Sequence, residues 1–351
     1  MKPAAPETRL STGRKFAFYA VYLLFIGLIF LVGAEIILRA KGITPVPYEK
    51  AAIRVEPDDR LVAREALVGW AHIPGAHTIT LATGFRFRFT IMHDKLRITR
   101  PLASHAGQDH RDKIWIFGCS YTEGWSLNDE ETYPWLLQER FPAYDVVNYG
   151  VGGYGTVHSL IQFREALKTS APKVAVLAYA DFHDERNTLA RSHRRAIALD
   201  NDLGPLEYPH GRLDSQGRLQ ITYSDISYTE VPTARFLALG QFVEMELSRF
   251  DTKRLRSHEV SEALVLEMAR IAREHGVKLV LANIDRGSGG VRMLEFARNH
   301  GIPAVDMSVD RKIPGNTNLP HDAHPSARAN RHYADVLERQ LRAELAVPQS
   351  E

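Results

Sequence analysis

The chain has 351 residues, 44% of them apolar and 25% charged, with a formal charge of +2. That length admits one large domain with additions or two modest ones, and the composition is ordinary for a folded protein. The small net charge argues against a nucleic-acid partner, and the single cysteine, Cys119, excludes an internal disulfide without fixing the redox compartment.

Residues 1–15 form a short tail that holds Lys2, Arg9, Arg14 and Lys15. Phe16 to Leu38 then reads FAFYAVYLLFIGLIFLVGAEIIL, apolar except for Glu35 near its far end. At about 1.5 Å per residue this run crosses a ~30 Å hydrocarbon layer with some tilt. It exceeds the ~7–15 apolar residues of a signal peptide, and no clean small-x-small cleavage site follows it. Arg39, Lys41 and Lys50 lie beyond the span, so the cationic count only slightly favours a cytoplasmic N-terminus. The short tail and long remainder predict a signal anchor with the remainder outside the cytoplasm.

Residues 39–110 read as a membrane-proximal segment. Gly42–Tyr48 (GITPVPY) carries two prolines and predicts an extended tether. Thr78–Leu81 and Phe85–Ile91 alternate apolar with polar, which predicts an antiparallel hairpin. Gln108–Asp112 is a polar break.

From residue 111 to 345 strand and helix patterns alternate. Strands are expected at 114–117, 144–148, 173–180, 277–284 and 302–306. Helices are expected at 129–141, 156–168, 257–275, 291–299 and 326–345. This rhythm predicts an α/β fold, a doubly wound parallel sheet. Residues 187–232 interrupt it with scattered charges and turn residues, among them Asn201-Asp-Leu-Gly204 and Asp214-Ser-Gln-Gly217. They follow a strand end, where such sheets bind ligands, so the segment reads as an inserted loop or lid, with Tyr208, Tyr223 and Tyr228 giving it some order.

Chemistry-bearing residues gather at the expected strand ends. In KIWIFGCSYTEG an apolar run stops at Gly118 and Ser120 follows. A serine hydroxyl becomes a nucleophile when a base takes its proton and donors face the oxyanion that forms. The second strand ends in NYGVGGYG, whose glycines can present backbone N–H groups; their spacing does not match the dinucleotide fingerprint. His321-Asp-Ala-His-Pro325 precedes the last helix, with His324 as candidate base and Asp322 as its orienting carboxylate. The same stretch also reads as a helix-entry turn, with Ser326 as cap and Pro325 in the first turn. His183, Asp184, His321, Asp322 and His324 match no metal-ligand spacing.

The order of GCSYTEG, NYGVGGYG, an acidic cluster after the third strand, and DAHP resembles the SGNH (GDSL-type) hydrolases, in a membrane-anchored bacterial branch. The likeness spans roughly 110–345 and rests on short motifs in order. It implies a flavodoxin-like three-layer sandwich with Ser120 as nucleophile, Gly153 as an oxyanion donor, and Asp322 and His324 as acid and base. Three positions depart from the family pattern. Cys119 replaces the first-block aspartate. The last block is Asp-x-His instead of Asp-x-x-His, which leaves Asp306 as an alternative acid. His183 stands where an asparagine completes the oxyanion hole; an imidazole N–H can also donate.

These readings together predict a serine esterase without cofactor or metal. Its expected substrate is an acylated, O-acetyl-bearing saccharide of the cell envelope, or another small ester. The expected oxyanion donors are Ser120, Gly153 and His183. The expected site is the bacterial inner membrane, crossed once through residues 16–38, with the catalytic domain periplasmic and envelope polysaccharide machinery as a possible partner. An O-acyltransferase to a saccharide and an inactive saccharide-binding scaffold remain alternatives.

Overall fold

The computed structural model describes residues 11–45, 52–104 and 111–346. Most of the N-terminal tail, Val46–Tyr48 of the expected tether, and most of the polar break before residue 111 lie outside them. The chain forms two units, Met1–Glu49 with Thr229–Arg249, and Lys50–Tyr228 with Phe250–Glu351.

In chain order, helix α1 (Thr12–Ala40) precedes five short strands, β1 (Ile53–Glu56), β2 (Val62–Glu65), β3 (Gly69–His72), β4 (Gly75–Leu81) and β5 (Arg86–Ile91). The α/β alternation follows as β6 (Lys113–Phe117), α2 (Ser120–Glu123), α3 (Tyr133–Arg140), β7 (Asp145–Asn148), α4 (Thr156–Leu167) and β8 (Val174–Tyr179). Then come α5 (His183–Asn187), α6 (Arg191–Asp200), β9 (Glu207–Leu213), β10 (Leu219–Asp225), α7 (Ala238–Arg254) and α8 (Ser257–Glu274). Strand β11 (Lys278–Asn283), α9 (Ser288–Asn299), β12 (Ala304–Asp306) and α10 (Ala327–Ala346) end the chain.

In the first unit, α1 has 29 residues, none of them buried, and is long and apolar enough to cross a membrane. The side chain of Glu35 accepts hydrogen bonds from the backbone N–H groups of Ala238 and Leu239, each at 2.9 Å. Arg39 Nε donates to the same carboxylate at 2.7 Å.

In the second unit, a five-stranded parallel sheet has the order β12-β11-β8-β6-β7. The first strand in sequence, β6, sits between the second and third, β7 and β8. The winding direction reverses there, and the strand ends open a crevice. Strand β8 (VAVLAY) is buried at every position, as expected for a strand covered on both faces. One face packs Phe117, Leu177, Leu281 and Leu264 of α8. The other packs Ile116, Val176 and Val280 against α3 and α10 through Leu137, Tyr333 and Leu337.

Strands β1, β4 and β5 are joined to this sheet, while β2 and β3 pair with each other. Strand β4 pairs with both β1 and β5, and the β4–β5 hairpin occupies the expected alternating segment. Arg97 bridges Ile91 to Asn148 at the end of β7. Its guanidinium, fully buried, donates to Asp129 Oδ1 and to the carbonyls of Arg88, Glu123, Gly124 and Leu127. A buried guanidinium is tolerable when its donors are satisfied and a carboxylate balances its charge.

The structure corrects several sequence expectations. The helix expected over 129–141 is divided. Asp129–Glu131 forms a 3₁₀ turn, and α3 starts after Thr132, whose side chain caps it from a position followed by Tyr133 and Pro134. Residues 187–232, expected as an inserted loop or partly ordered lid, hold α6 and the antiparallel β9–β10 hairpin. Helix α7 was not expected at all.

Candidate active site

Strand β6 ends at Gly118, where a Cβ would collide with the Thr122 side chain, so glycine alone lets the chain fold back into α2. This helix is a single turn, begun by Ser120 and closed by Gly124 at φ +86. Short range thus delivers the Ser120 hydroxyl to the β6 strand end at the winding reversal.

The partner of Ser120 arrives from the far end of the chain. His324 Nε2 lies 3.0 Å from Ser120 Oγ. His324 Nδ1 lies 2.7 Å from Asp322 Oδ1, and the backbone N–H of His324 donates to the same oxygen at 2.7 Å. The two-residue step from Asp to His therefore works as an Asx turn, in which one carboxylate oxygen holds both the ring and its own backbone. Partial burial pushes the Asp322 carboxyl up, but the hydrogen bond and charge of His324, with Ser126, outweigh it and hold the group below the usual range. Ser126 Oγ donates to Asp322 Oδ1 at 3.2 Å and receives the Asn318 amide at 2.8 Å. Asp306, the alternative acid, instead accepts from Asn283 Nδ2 and Ser308 N.

Two aromatic rings border His324, Tyr121 edge-on at 5.6 Å and Trp125 at 6.4 Å between centroids. Tyr121 is fixed by Arg311 Nη1, which donates to its hydroxyl at 2.6 Å. Burial pushes the Tyr121 phenol up to about 12 against the opposing charge of Arg311.

The glycine loop packs directly on the nucleophile turn. Asn148 Nδ2 donates to Thr122 O, Val151 N to Gly118 O, and Gly152 N to Glu123 Oε1 at 3.0 Å. The same Glu123 oxygen lies 2.6 Å from His72 Nε2, with both side chains 1–2% exposed. On the other side, Trp70 Nε1 donates to Gly152 O at 3.1 Å. The peptide joining Gly152 to Gly153 is thus held through its carbonyl, and a trans peptide directs the Gly153 N–H away from Trp70. Gly153 has φ +84, and a Cβ on it would sit 2.7 Å from the Trp70 ring. Among the described residues, no group accepts a hydrogen bond from the N–H of Ser120 or Gly153.

His183 lies elsewhere. Its ring is fully buried, edge-on to Tyr179 and Phe182, and among the described residues neither ring nitrogen has a hydrogen-bond partner. Helix α5 begins at this residue, and the ring packs into the interior. The neighbouring Asp181 is turned away as well, accepting from Gly289 N and Gly290 N.

A cavity of about 1030 Å³ opens beside the site, and Gly153, Trp70, Trp125 and Arg186 line it. Arg186 donates to Tyr154 O at 2.8 Å and lies over the Phe182 ring. Further along are Ile53, Val55, Leu61, Ile197 and Leu206, with Asp59, Arg60, Asp200, Asn201 and Asp202.

Sequence reasoning brought Ser120, His324, Asp322 and Gly153 forward and missed Trp70, His72, Glu123, Trp125 and Ser126. Glu123 and Trp125 sit in or beside the nucleophile motif, where a carboxylate and an indole so near a candidate serine were a usable signal. Trp70 and His72 reach the site across more than fifty residues, and no local pattern marks them.

No protein-family model matches this chain, and no curated protein matches it. Solved structures do. A two-domain esterase active on acetylated mannans shares 16% identity, with 69% of this chain and 51% of that one covered and a TM-score of 0.38. This chain thus spans about half the length of that esterase. A GDSL-like lipase from Bacteroides thetaiotaomicron VPI-5482 shares 14% identity, with 66% and 88% covered and a TM-score of 0.38. The psychrotrophic esterase EstA from a Pseudoalteromonas species shares 10% identity, with 67% and 100% covered and a TM-score of 0.39. The structural neighbours of this chain are GDSL-type acylhydrolases and esterases.

Proposed function

We propose that this protein is a serine ester hydrolase that removes O-acetyl groups from a saccharide. The carrying observation is the continuous contact from Ser120 Oγ to His324 Nε2 at 3.0 Å and from His324 Nδ1 to Asp322 Oδ1 at 2.7 Å. His324 takes the Ser120 proton as Oγ attacks the acyl carbonyl, and the carbonyl oxygen gains the negative charge. The imidazolium gives that proton to the departing sugar oxygen, leaving an acetyl-serine. Water attacks this ester, His324 takes its proton, and acetate leaves as the proton returns to Ser120. Asp322 orients the imidazole and balances its charge when protonated. The N–H groups of Ser120 and Gly153 receive the oxyanion. His183 has no part in this scheme.

The cavity supports a saccharide as the acyl carrier. Trp70 and Trp125 offer flat apolar faces for ring C–H groups, and Asp59 offers a carboxylate for hydroxyls. Helix α1 anchors the protein by a single pass, with the α/β unit outside the cytoplasm. A reporter at Glu351 active only in the cytoplasm would reverse that orientation.

The test is labelling of the full chain with a fluorophosphonate, with the adduct located by mass spectrometry, beside turnover of p-nitrophenyl acetate. The expected result is an adduct on Ser120 and loss of both labelling and turnover in Ser120→Ala. Equal turnover by the two proteins sinks the proposal. Acetylated glycan that accumulates instead of disappearing assigns transfer to a sugar hydroxyl, and glycan binding without any adduct assigns a scaffold.

A further inference from the structure

We propose that the exposed apolar face of α7 rests on the surface of the lipid bilayer that α1 crosses, with Glu35 as the fixed joint between the two helices. The inference rests on the reading of α1 as the anchor and is independent of the chemistry at Ser120.

Glu35 is the one charge in Phe16–Leu38, and ester hydrolysis gives it no task. An ionisable side chain inside a spanning helix is costly unless it is paired or near the interface. Here it sits three residues from the end of the apolar run. Its two oxygens take the N–H groups of Ala238 and Leu239, the first two residues of α7, and Arg39 pairs with it from the next turn. The opening N–H groups of a helix have no partner within that helix. In α7 they are satisfied by a carboxylate from the membrane-crossing helix, so α7 begins where α1 leaves the hydrocarbon.

The apolar stripe begins at the same place. Phe236 and Leu237 immediately precede α7 and are exposed, Phe236 at 73%. Val243, Leu247 and Phe250 follow along the helix at steps of four and three, which places them on one face, and all three are exposed, Phe250 at 65%. Single exposed apolar residues are ordinary, but three on one helix face, with two more just before its start, mark an interaction surface. Lipid is the occupant because the row continues from the end of an apolar helix none of whose own residues is buried.

The experiment uses the full chain in phosphatidylcholine vesicles with an environment-sensitive fluorophore at Leu247→Cys. The native Cys119 is buried and stays unlabelled. Leu28→Cys serves as the in-bilayer reference and Gln216→Cys, in an exposed turn, as the aqueous one. Doxyl-lipid quenching of the Leu247 probe by more than about half, strongest with the spin label placed near the headgroup, is expected for a face at interfacial depth. A Leu247 probe that behaves like Gln216 while Leu28 is quenched overturns the proposal. Shielding of Leu247 from aqueous iodide without lipid quenching also overturns it, since a protein then covers the face. An unquenched Leu28 removes the anchor and this inference together, while Ser120 labelling still reports on the hydrolase reading. Glu35→Ala is expected to leave Leu28 quenched and to lower Leu247 quenching about twofold, as a lost helix cap allows. No change would remove Glu35 as the joint.

Discussion

The Asp322 carboxylate does two tasks with one oxygen, holding the His324 ring and the His324 backbone together. The two-residue step from Asp322 to His324 is therefore compatible with a fixed imidazole, because the Asx turn supplies the geometry. Asp322→Asn keeps the size of the side chain but puts an amide where a charge is needed. It is expected to lower kcat for p-nitrophenyl acetate roughly ten-thousandfold, the scale seen when a triad carboxylate is neutralised. Asp306→Asn, with its partners at the β12 end, is expected to leave kcat within about twofold. Comparable losses in both variants would refute this assignment of roles. At this scale the sequence was informative where partners are neighbours, as in His321–Pro325. It misled at His183, where a motif position did not reveal that the chain turns the ring inward.

Two elements outside the parallel sheet hold the glycine loop. Strand β3 contributes Trp70 and His72, and α2 contributes Glu123, so Gly152 is fixed at both its N–H and its carbonyl. Tyr154 closes the arrangement by donating its hydroxyl to Trp70 O. Trp70→Phe retains a ring against Gly153 and deletes the indole N–H. Loss of a full oxyanion donor costs roughly a hundred- to a thousandfold in kcat, so a donor left in place but unsteered is expected to cost about tenfold, with KM for the small ester nearly unchanged. A rise in KM with kcat intact would assign Trp70 to the cavity wall alone. The five central strands were legible because apolar runs with helical spacers survive in a single sequence. The small β2–β3 pair was not, since four-residue strands carry too little pattern and their role is defined by contacts far along the chain. Helix α7 escaped because charged residues such as Glu246 and Arg249 interleave with its apolar positions, which blurs the amphipathic signal.

Among the described residues, burial drives His158 below its ordinary value to about 3 and His183 and His193 well down, with Arg186 adding to the effect. As pH falls below the unfolded value near 6.5, the unfolded chain takes up protons that the folded chain refuses. Stability is then expected to fall by about 1.4 kcal/mol per pH unit for each of these residues. The opposite sign applies to His258, raised by its hydrogen bond to Asp184 despite burial. Its contribution is complete below 6.5 and fades as pH rises through its folded value. Guanidinium midpoints measured between pH 6.5 and 5 are expected to drop steeply, and His183→Phe, which deletes no hydrogen bond, to reduce that slope, with His210, also lowered by burial, among the groups that keep the rest. A slope unchanged in His183→Phe would contradict a neutral imidazole at that position.

Arg97 extends this dependence to the order in which the protein can be assembled. The guanidinium that props up the carbonyls of Glu123, Gly124 and Leu127 comes from a segment translated before the nucleophile turn it supports. A truncation that begins past residue 100 would retain Ser120, Asp322 and His324 yet strand three carbonyls and the Asp129 carboxylate with no donor. The Arg97 guanidinium is thus a floor beneath the nucleophile turn, and a fragment that keeps that turn supported has to include it.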